Sequence, residues 1–457
     1  MGLSPKGKAA AKPDAANLTS GLASRRIAVD ALHEVLVRRK PLEGVLERLV
    51  VAAAADDLHP SDLALTRLIA ATALRRLGQI EDVTGRYLLR TLPEEASRAG
   101  LILLTGATQL LFLGTPAHAA IDLAVTLCKA TPHTERYAGL VNAVLRKVAT
   151  EGPAIIASQD FAKLNTPDWL WERWVKAYGA ETARSIANAH LSEAALDLSV
   201  KADAAGWAER LGGVVTPTGS VRLKAKGRIE ALVGFAEGGW WVQDVAAALP
   251  VRLLGDVRGK RVADLCAAPG GKTMQLSAAG AHVTALDSSA ARLGTLRANL
   301  ERLGLSADIV QADAGDWQPT DLFDAVLLDA PCLATGTIRR HPDLPHLKQL
   351  NDLKALAGIQ AKLLDNAAKM LRPGGTLVYC TCSLEPEEGP EQIAKFLSRT
   401  ARFEVVPITG GEHSIAPEWV SAEGYLRTLP CHLPMEPVEL SGLDGFFAAR
   451  MKRQTIN

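Results

Sequence analysis

From about Trp240 onward the chain alternates short β-branched runs with helical stretches, and this alternation constrains the fold more than any other feature of the sequence. Strands are expected at 261–265, 282–286, 308–311, 325–328 and 376–379, and helices at 272–279, 290–303 and 352–371. Parallel strands need crossovers long enough to hold a helix, so this pattern folds as an α/β domain: a doubly wound, mostly parallel sheet with helices on both faces. Ligands bind such sheets beyond the carboxyl ends of the strands. The chemistry is therefore sought in the residues that follow each run.

The 457 residues exceed one ordinary domain. Residues 1–20, rich in Ala, Lys, Pro and Gly without an apolar period, read as a solvated tail. In 21–150 apolar residues recur at helical spacing, as in Ala28, Leu32, Val35 and Leu36 and in Leu63, Leu68, Ile69, Ala73 and Leu77. Breaks at Pro41, Pro60, Gly78, Pro93, Gly114 with Pro116, and Pro132 divide this all-helical domain. Residues 160–239 read as a small α+β module that opens with a helix carrying Trp169, Trp171 and Trp174 and continues into strands at 196–200 and 221–223. The α/β domain occupies 240–457.

Lys and Arg (51) nearly cancel Asp and Glu (50), so bulk charge does not mark a nucleic-acid binder. Residues 1–150 carry a net charge of about +5, a weak local bias. Six cysteines in so long a chain, without a charged-then-apolar leader, do not make a secreted disulfide framework and suit a reducing compartment. The apolar stretch at 101–113 is broken by Gly106, Thr108 and Gln109, which argues against a membrane span and for a cytoplasmic protein.

The run Asp264-Leu265-Cys266-Ala267-Ala268-Pro269-Gly270-Gly271-Lys272-Thr273 follows a strand and opens a helix, so its glycines let backbone approach a ligand at a helix N-terminus. It has neither the spacing of a phosphate loop nor that of a dinucleotide fingerprint. Asp287 ends the next strand, where a carboxylate can accept both hydroxyls of a ribose, and Asp313 follows the one after, within reach of an adenine amino group. Each acid alone is equally a helix cap or turn residue.

The fourth strand ends in Asp329-Ala330-Pro331-Cys332 and the fifth in Cys380-Thr381-Cys382-Ser383, so thiols arrive at neighbouring ligand-facing ends. Packing is the ordinary explanation for Cys128 and Cys266. Zinc held by Cys332, Cys380, Cys382 and His341 is disfavoured because no paired C-x-x-C knuckle exists.

These segments, with Arg339-Arg340-His341-Pro342-Asp343 and Pro386-Glu387-Glu388, resemble the motifs of the Nol/Nop/Sun-type RNA cytosine-C5 methyltransferases, most closely the bacterial branch acting on small-subunit ribosomal RNA. The resemblance spans nearly the whole chain. Residues 138–146 resemble the last helix of a NusB-like RNA-binding domain, and Pro167-Asp168-Trp169-Leu170, Gln243-Asp244 and Asp444-Gly445-Phe446-Phe447 also match. Lys201 closes a Leu198-Ser199-Val200-Lys201 segment where the family often has Leu-Arg-Val-Asn, and Cys380 stands where small residues are common.

The resemblance implies S-adenosylmethionine as methyl donor, held by Cys266, Ala267, Ala268, Pro269, Gly270, Gly271, Lys272, Arg292 and Asp329, with Asp287 on its ribose and Asp313 on its adenine. It implies Cys382 as nucleophile and Cys332 as the residue that helps release product. Lys272 would lie beside cofactor and cytosine, and Arg339 and Arg340 would grip phosphate or shape the pocket. Chemistry agrees: cytosine C5 is a poor nucleophile, and thiolate addition at C6 makes the ring an enamine that can attack a methyl group. Asp329 would hydrogen-bond N3 or the exocyclic amine, most usefully if partly protonated in a dry site. The substrate implied is a cytosine flipped from single-stranded or loop 16S ribosomal RNA, free or in a small-subunit assembly intermediate, methylated by a monomer. Competing readings are an assembly factor with a degenerate methyltransferase domain, an enzyme acting on tRNA, and a DNA cytosine methyltransferase, whose nucleophile would be Cys332.

Overall fold

The computed structural model describes residues 15–53, 59–90, 92–224 and 227–455. The chain divides into two compact units, Met1–Asn165 and Thr166–Asn457. Of the expected tail, residues 1–14 lie outside the described residues. Ala15 already begins the first helix, Ala15–Leu36, because a packed turn extends at little cost once nucleated.

The first unit is helical throughout its described length. Ala28, Leu32 and Val35 are fully buried along the first helix, as the spacing predicts. Leu68 departs from its expected stripe and is 47 % exposed, because helix Pro60–Arg75 turns Thr66, Ile69 and Ala73 inward instead. The break after that helix falls at Arg76, two residues before Gly78. Helix Ser97–Phe112 is buried over most of its length, which explains the apolar run there. Its polar side chains bond within the helix: Thr108 Oγ1 donates to the Leu104 carbonyl at 2.7 Å and Gln109 Nε2 to that of Thr105 at 3.0 Å. No described helix is long and apolar enough to cross a membrane.

The second unit contains two sheets. β1 (Leu196–Val200), β2 (Val214–Val215), β3 (Val221–Leu223) and β4 (Trp240–Val242) form a small antiparallel sheet in the order β2-β3-β1-β4. The expected start of the α/β domain at Trp240 therefore falls inside this sheet, since Trp240 pairs with Val200. At its other end the module loses 160–165 to the first unit.

The large sheet comprises β5 (Arg261–Leu265), β6 (His282–Asp287), β7 (Asp308–Gln311), β8 (Phe323–Asp329), β9 (Leu371–Thr381), β10 (Phe403–Val405), β11 (Leu426–Thr428) and β12 (Phe446–Arg453). Its order is β10-β12-β9-β8-β5-β6-β7, with β11 also pairing β12. β5 to β9 run parallel, and β12 returns antiparallel beside β9. Period-two alternation buries both faces: Val262, Leu327 and Val378 point into one layer, Ala263, Val326 and Leu377 into the other. Strand order reverses between β5 and β8, which opens a crevice beyond their carboxyl ends.

Candidate active site

The chain leaves β5 through a sharp turn. Cys266 takes φ +59° and Gly270 φ +109°. Gly270 caps helix Gly271–Ala278, and a Cβ on it would meet Leu296 Cγ at 2.9 Å, so both conformation and space require glycine. Ala267, Ala268, Pro269, Gly271 and Lys272 then line a cleft of about 500 Å³, with Asp329 at its edge.

The opposite wall comes from the small sheet and its surroundings: Phe235, Trp241, Val242 and Gln243. Gln243 is fixed on three sides, accepting from Ser199 Oγ at 2.7 Å and Trp241 Nε1 at 2.9 Å and donating to Gln275 Oε1 at 3.0 Å. Sequence reasoning quoted Gln243 only as part of a motif and missed Phe235 and Trp241 as lining, because contacts between two sheets carry no local signature.

Asp264 forms part of the cleft wall, wholly buried at the end of β5. Its Oδ2 accepts from Thr273 Oγ1 at 2.6 Å, whereas Oδ1 has no hydrogen-bond partner. Burial pushes this carboxyl up to about 7, against the opposing pull of Thr273. An unsatisfied buried carboxylate facing a cleft suits a ligand donor.

The expected cofactor acids fall differently. Asp287 is 3 % exposed and accepts from the Ala268 amide at 3.2 Å and the Ser289 amide at 2.9 Å. Arg292 pairs with it at 3.4 Å and donates to the Ala268 carbonyl, so the two brace the loop from outside the cleft lining. Asp313 accepts from the Gly315 amide at 2.7 Å and does not line the cleft. Cys266 does not line the cleft, and burial pushes its thiol up to about 12.

At the fourth strand end, Asp329 pairs in register with Cys380 across β8 and β9. Lys272 Nζ donates to Asp329 Oδ2 at 2.8 Å, and the Cys380 thiol lies 3.6 Å from Oδ1. Burial opposes the Lys272 charge most strongly, but Asp329, Cys380 and Asp264 together raise the ammonium above its usual value. Lys272 also sits 4.9 Å from the centroid of the Phe446 ring. The side chain of Asp329 is 32 % exposed and ion-paired, not sealed in a dry site.

Cys382 follows the end of β9, and its sulfur lies 3.5 Å from that of Cys332. Both residues are partly exposed, whereas Cys380 is fully buried and its thiol strongly raised by burial. Cys380 and Cys382 are thus not equivalent: the Cys380 thiol lies against Asp329, and Cys382 stands beside Cys332. Cys332 is raised well above an ordinary thiol, first by its hydrogen bond with Cys382 and then by burial.

The segment after Cys382 is heavily anchored. Arg173 donates to Glu385 at 2.5 Å and to Glu387, and Trp174 Nε1 donates to Glu385 at 3.1 Å, all from helix Asp168–Tyr178. The Gly336 amide donates to the Cys382 carbonyl at 2.9 Å, and a Cβ on Gly336 would strike the Gly445 carbonyl at 1.9 Å. Arg339 and Arg340 do not reach out for phosphate. Arg340 donates to Asp244 at 2.5 Å and to Asp444 at 3.1 Å, while Arg339, 3 % exposed, donates to the Ser441 carbonyl at 2.8 Å. They tie the Asp244 and Asp444 segments to the loop after β8 because buried guanidinium groups need fixed acceptors.

A sheet of this strand order, with a ligand cleft at its reversal point and an antiparallel strand beside β9, is that of a class I methyltransferase. Residues 251–452 match the family model described as 16S rRNA methyltransferase RsmB/F, and residues 22–150 match the NusB family. Ribosomal RNA small subunit methyltransferase B of Vibrio cholerae is 35 % identical over 394 residues, covering 82 % of this chain and 89 % of that protein. The protein of the same name from Klebsiella pneumoniae (strain MGH 78578) is 34 % identical over 414 residues, covering 86 % of this chain and 94 % of its own. The crystal structure of PH0851 has the same fold, with a TM-score of 0.74 at 22 % identity, covering 95 % of this chain and 98 % of that one. A methyltransferase homologue from Pyrococcus horikoshii gives a TM-score of 0.50 at 28 % identity, covering 62 % of this chain and 93 % of its own. The chain belongs to the ribosomal RNA small subunit methyltransferase B family.

Proposed function

We propose that this enzyme transfers a methyl group from S-adenosylmethionine to C5 of a cytosine in 16S ribosomal RNA, through a covalent bond between Cys382 and C6. The observation that carries the reading is the pair of partly exposed thiols, 3.5 Å apart, just beyond the ends of the neighbouring strands β8 and β9, the first of which ends in Asp329, paired with Lys272 in the cleft lining. The cleft fits the cofactor: its walls are largely apolar, its volume of about 500 Å³ suits a nucleoside bearing an amino-acid tail, and Asp264 Oδ1 offers an unfilled acceptor for an ammonium group. Asp287 and Arg292 would hold the loop that contacts it, and Asp313 would need to turn from Gly315 to reach an adenine. Bound there, the cofactor supplies an electrophilic methyl group on a sulfonium.

The chain's own residues divide the work. The Cys382 thiolate adds to C6, and the displaced electron pair moves onto the ring, making C5 nucleophilic. Asp329, aimed by Lys272 and Cys380, accepts a hydrogen bond from the exocyclic amine and so orients the ring for attack. After C5 has taken the methyl, its proton must leave so that the C5–C6 double bond re-forms and Cys382 is expelled. Cys332, 3.5 Å from Cys382, stands within reach of that step. Having given its own proton to water, its thiolate takes the C5 proton, the C5–C6 double bond re-forms and Cys382 leaves as a thiolate. The target base reaches the thiols flipped out of a loop or single strand, in the cytoplasm, on free RNA or on an assembling subunit.

Small-subunit RNA carrying tritium at cytosine C5 tests the reading: turnover releases tritium to water in proportion to methyl groups incorporated. Methylation without tritium release places the methyl elsewhere and ends the proposal.

A further inference from the structure

Glu388 is wholly buried, yet its carboxylate is spent on the backbone of the Cys332 loop. Both oxygens accept from the Leu333 amide at 3.1 Å, and Oε1 also accepts from Gln360 Nε2 at 2.9 Å. Gln360 Nε2 donates in turn to the Pro331 carbonyl at 2.9 Å, so the residues on either side of Cys332 are clamped. The main-chain carbonyl of Glu388 meanwhile accepts from Tyr379 Oη at 2.9 Å and from Thr381 Oγ1 at 3.1 Å, next to Cys382. One residue therefore grips both thiol-bearing loops, its side chain reaching the Leu333 amide after Cys332 and the Ser383 side chain after Cys382, and its main chain holding Thr381.

We propose that Glu388, with Gln360, is the positioning residue that holds Cys332 at its working distance from Cys382, and that it acts on release of the methylated RNA and not on attack. This rests on the two-thiol reading given above. A buried carboxylate with no surface exposure is costly unless its position is used, and its acceptors go to the Leu333 amide, to Gln360 and to the Ser383 side chain. Cys382 keeps other anchors, including the amide of Gly336 on its carbonyl, whereas the Cys332 loop depends on Glu388 for its Leu333 amide. Loosening the clamp misplaces Cys332 and leaves Cys382 able to add to C6.

The full-length Glu388→Gln and Cys332→Ala variants are each incubated with unmodified small-subunit RNA and S-adenosylmethionine, then resolved on denaturing gels. Glu388→Gln should give a covalent protein–RNA band, keep single-turnover methyl transfer within about threefold of wild type, and lose multiple turnover by on the order of 10- to 100-fold. The band should vanish in Glu388→Gln/Cys382→Ala. If Glu388→Gln fails to fold, Gln360→Met, which frees the Pro331 carbonyl and removes one of the two donors to Glu388 Oε1, carries the same test with the same expected band. If Cys332→Ala traps RNA while the folded clamp variants slow single and multiple turnover equally without an adduct, the positioning role is overturned and the two-thiol reading stands. If Cys332→Ala itself traps nothing, both fall.

Discussion

The sulfurs of Cys332 and Cys382 lie 3.5 Å apart although fifty positions separate the residues in sequence. Parallel pairing of β8 with β9 brings the two strand ends together, and the chain beyond each is fastened to the other, with the Gly336 amide on the Cys382 carbonyl. The proximity is built by the backbone.

Such a pair should close under a thiol oxidant. Diamide accepts two hydrogens, one from each thiol, so treatment should join Cys332 to Cys382 with a mass loss of about 2 Da and abolish methyl transfer, both reversed by dithiothreitol. Peptide mapping that finds the two residues unlinked after inactivation contradicts the geometry.

Lys272 and Asp329 should act as a unit. Lys272→Met removes the donor that aims the carboxylate and should lower kcat/KM by on the order of 10- to 100-fold. Because Asp329 is partly exposed, the stability cost should be about 1–3 kcal/mol, below that of a sealed pair. Adding Asp329→Asn should cost little further activity, so steady-state kinetics of the three variants should give a strongly non-additive cycle.

Asp264 sets a pH dependence whose sign is fixed by its raised value of about 7. Between about pH 4 and 7 the folded chain holds this proton while the unfolded chain has released it, so the contribution to stability is present at low pH and is lost as pH rises through 7. Asp264→Asn removes that slope, and the difference in Tm between wild type and variant should shift against wild type from pH 5 to pH 8. Ligand binding runs the other way: a cationic donor at Oδ1 favours the ionised carboxyl, so cofactor affinity measured by calorimetry should rise with pH across the same window in wild type alone.

Arg222 and Asp197 form a buried bidentate pair, at 2.7 Å on both arms, and Arg222 also donates to the Leu440 and Gly442 carbonyls at 2.7 Å. Arg222→Ala should destabilise the second unit by about 3–5 kcal/mol, read by denaturant unfolding, because the Asp197 carboxylate is left buried without its partner.

The sequence foretold most of this arrangement where local pattern and position coincide. β5 and helix Ala290–Leu303 have the bounds that alternation predicts, and of the loop after β5 Ala267, Ala268, Pro269 and Gly271 line the cleft, whereas Cys266 and Gly270 shape the turn behind it. The thiols of Cys332 and Cys382 were legible through strand ends and resemblance to a family. Patterns of spacing did not reveal that Cys380 would be sealed behind Asp329, that Arg339 and Arg340 would turn inward, or that Trp240 would pair into the small sheet. Those outcomes depend on partners in Asp244, Asp444 and Val200, far away in the chain. Gln360 was hidden for the same reason, and Glu388 stood in a motif without a role: a buried polar side chain on a helix looks like any solvated one until its partners are known.

The most direct test of the account compares wild type, Cys382→Ala and Cys332→Ala on unmodified small-subunit RNA with tritiated S-adenosylmethionine, followed by denaturing gels. The account predicts no methyl transfer and no adduct for Cys382→Ala, and a methylated RNA held covalently on Cys332→Ala. An adduct on Cys382→Ala, or methyl transfer surviving its loss but not that of Cys332, would contradict it and move the nucleophile to the fourth strand.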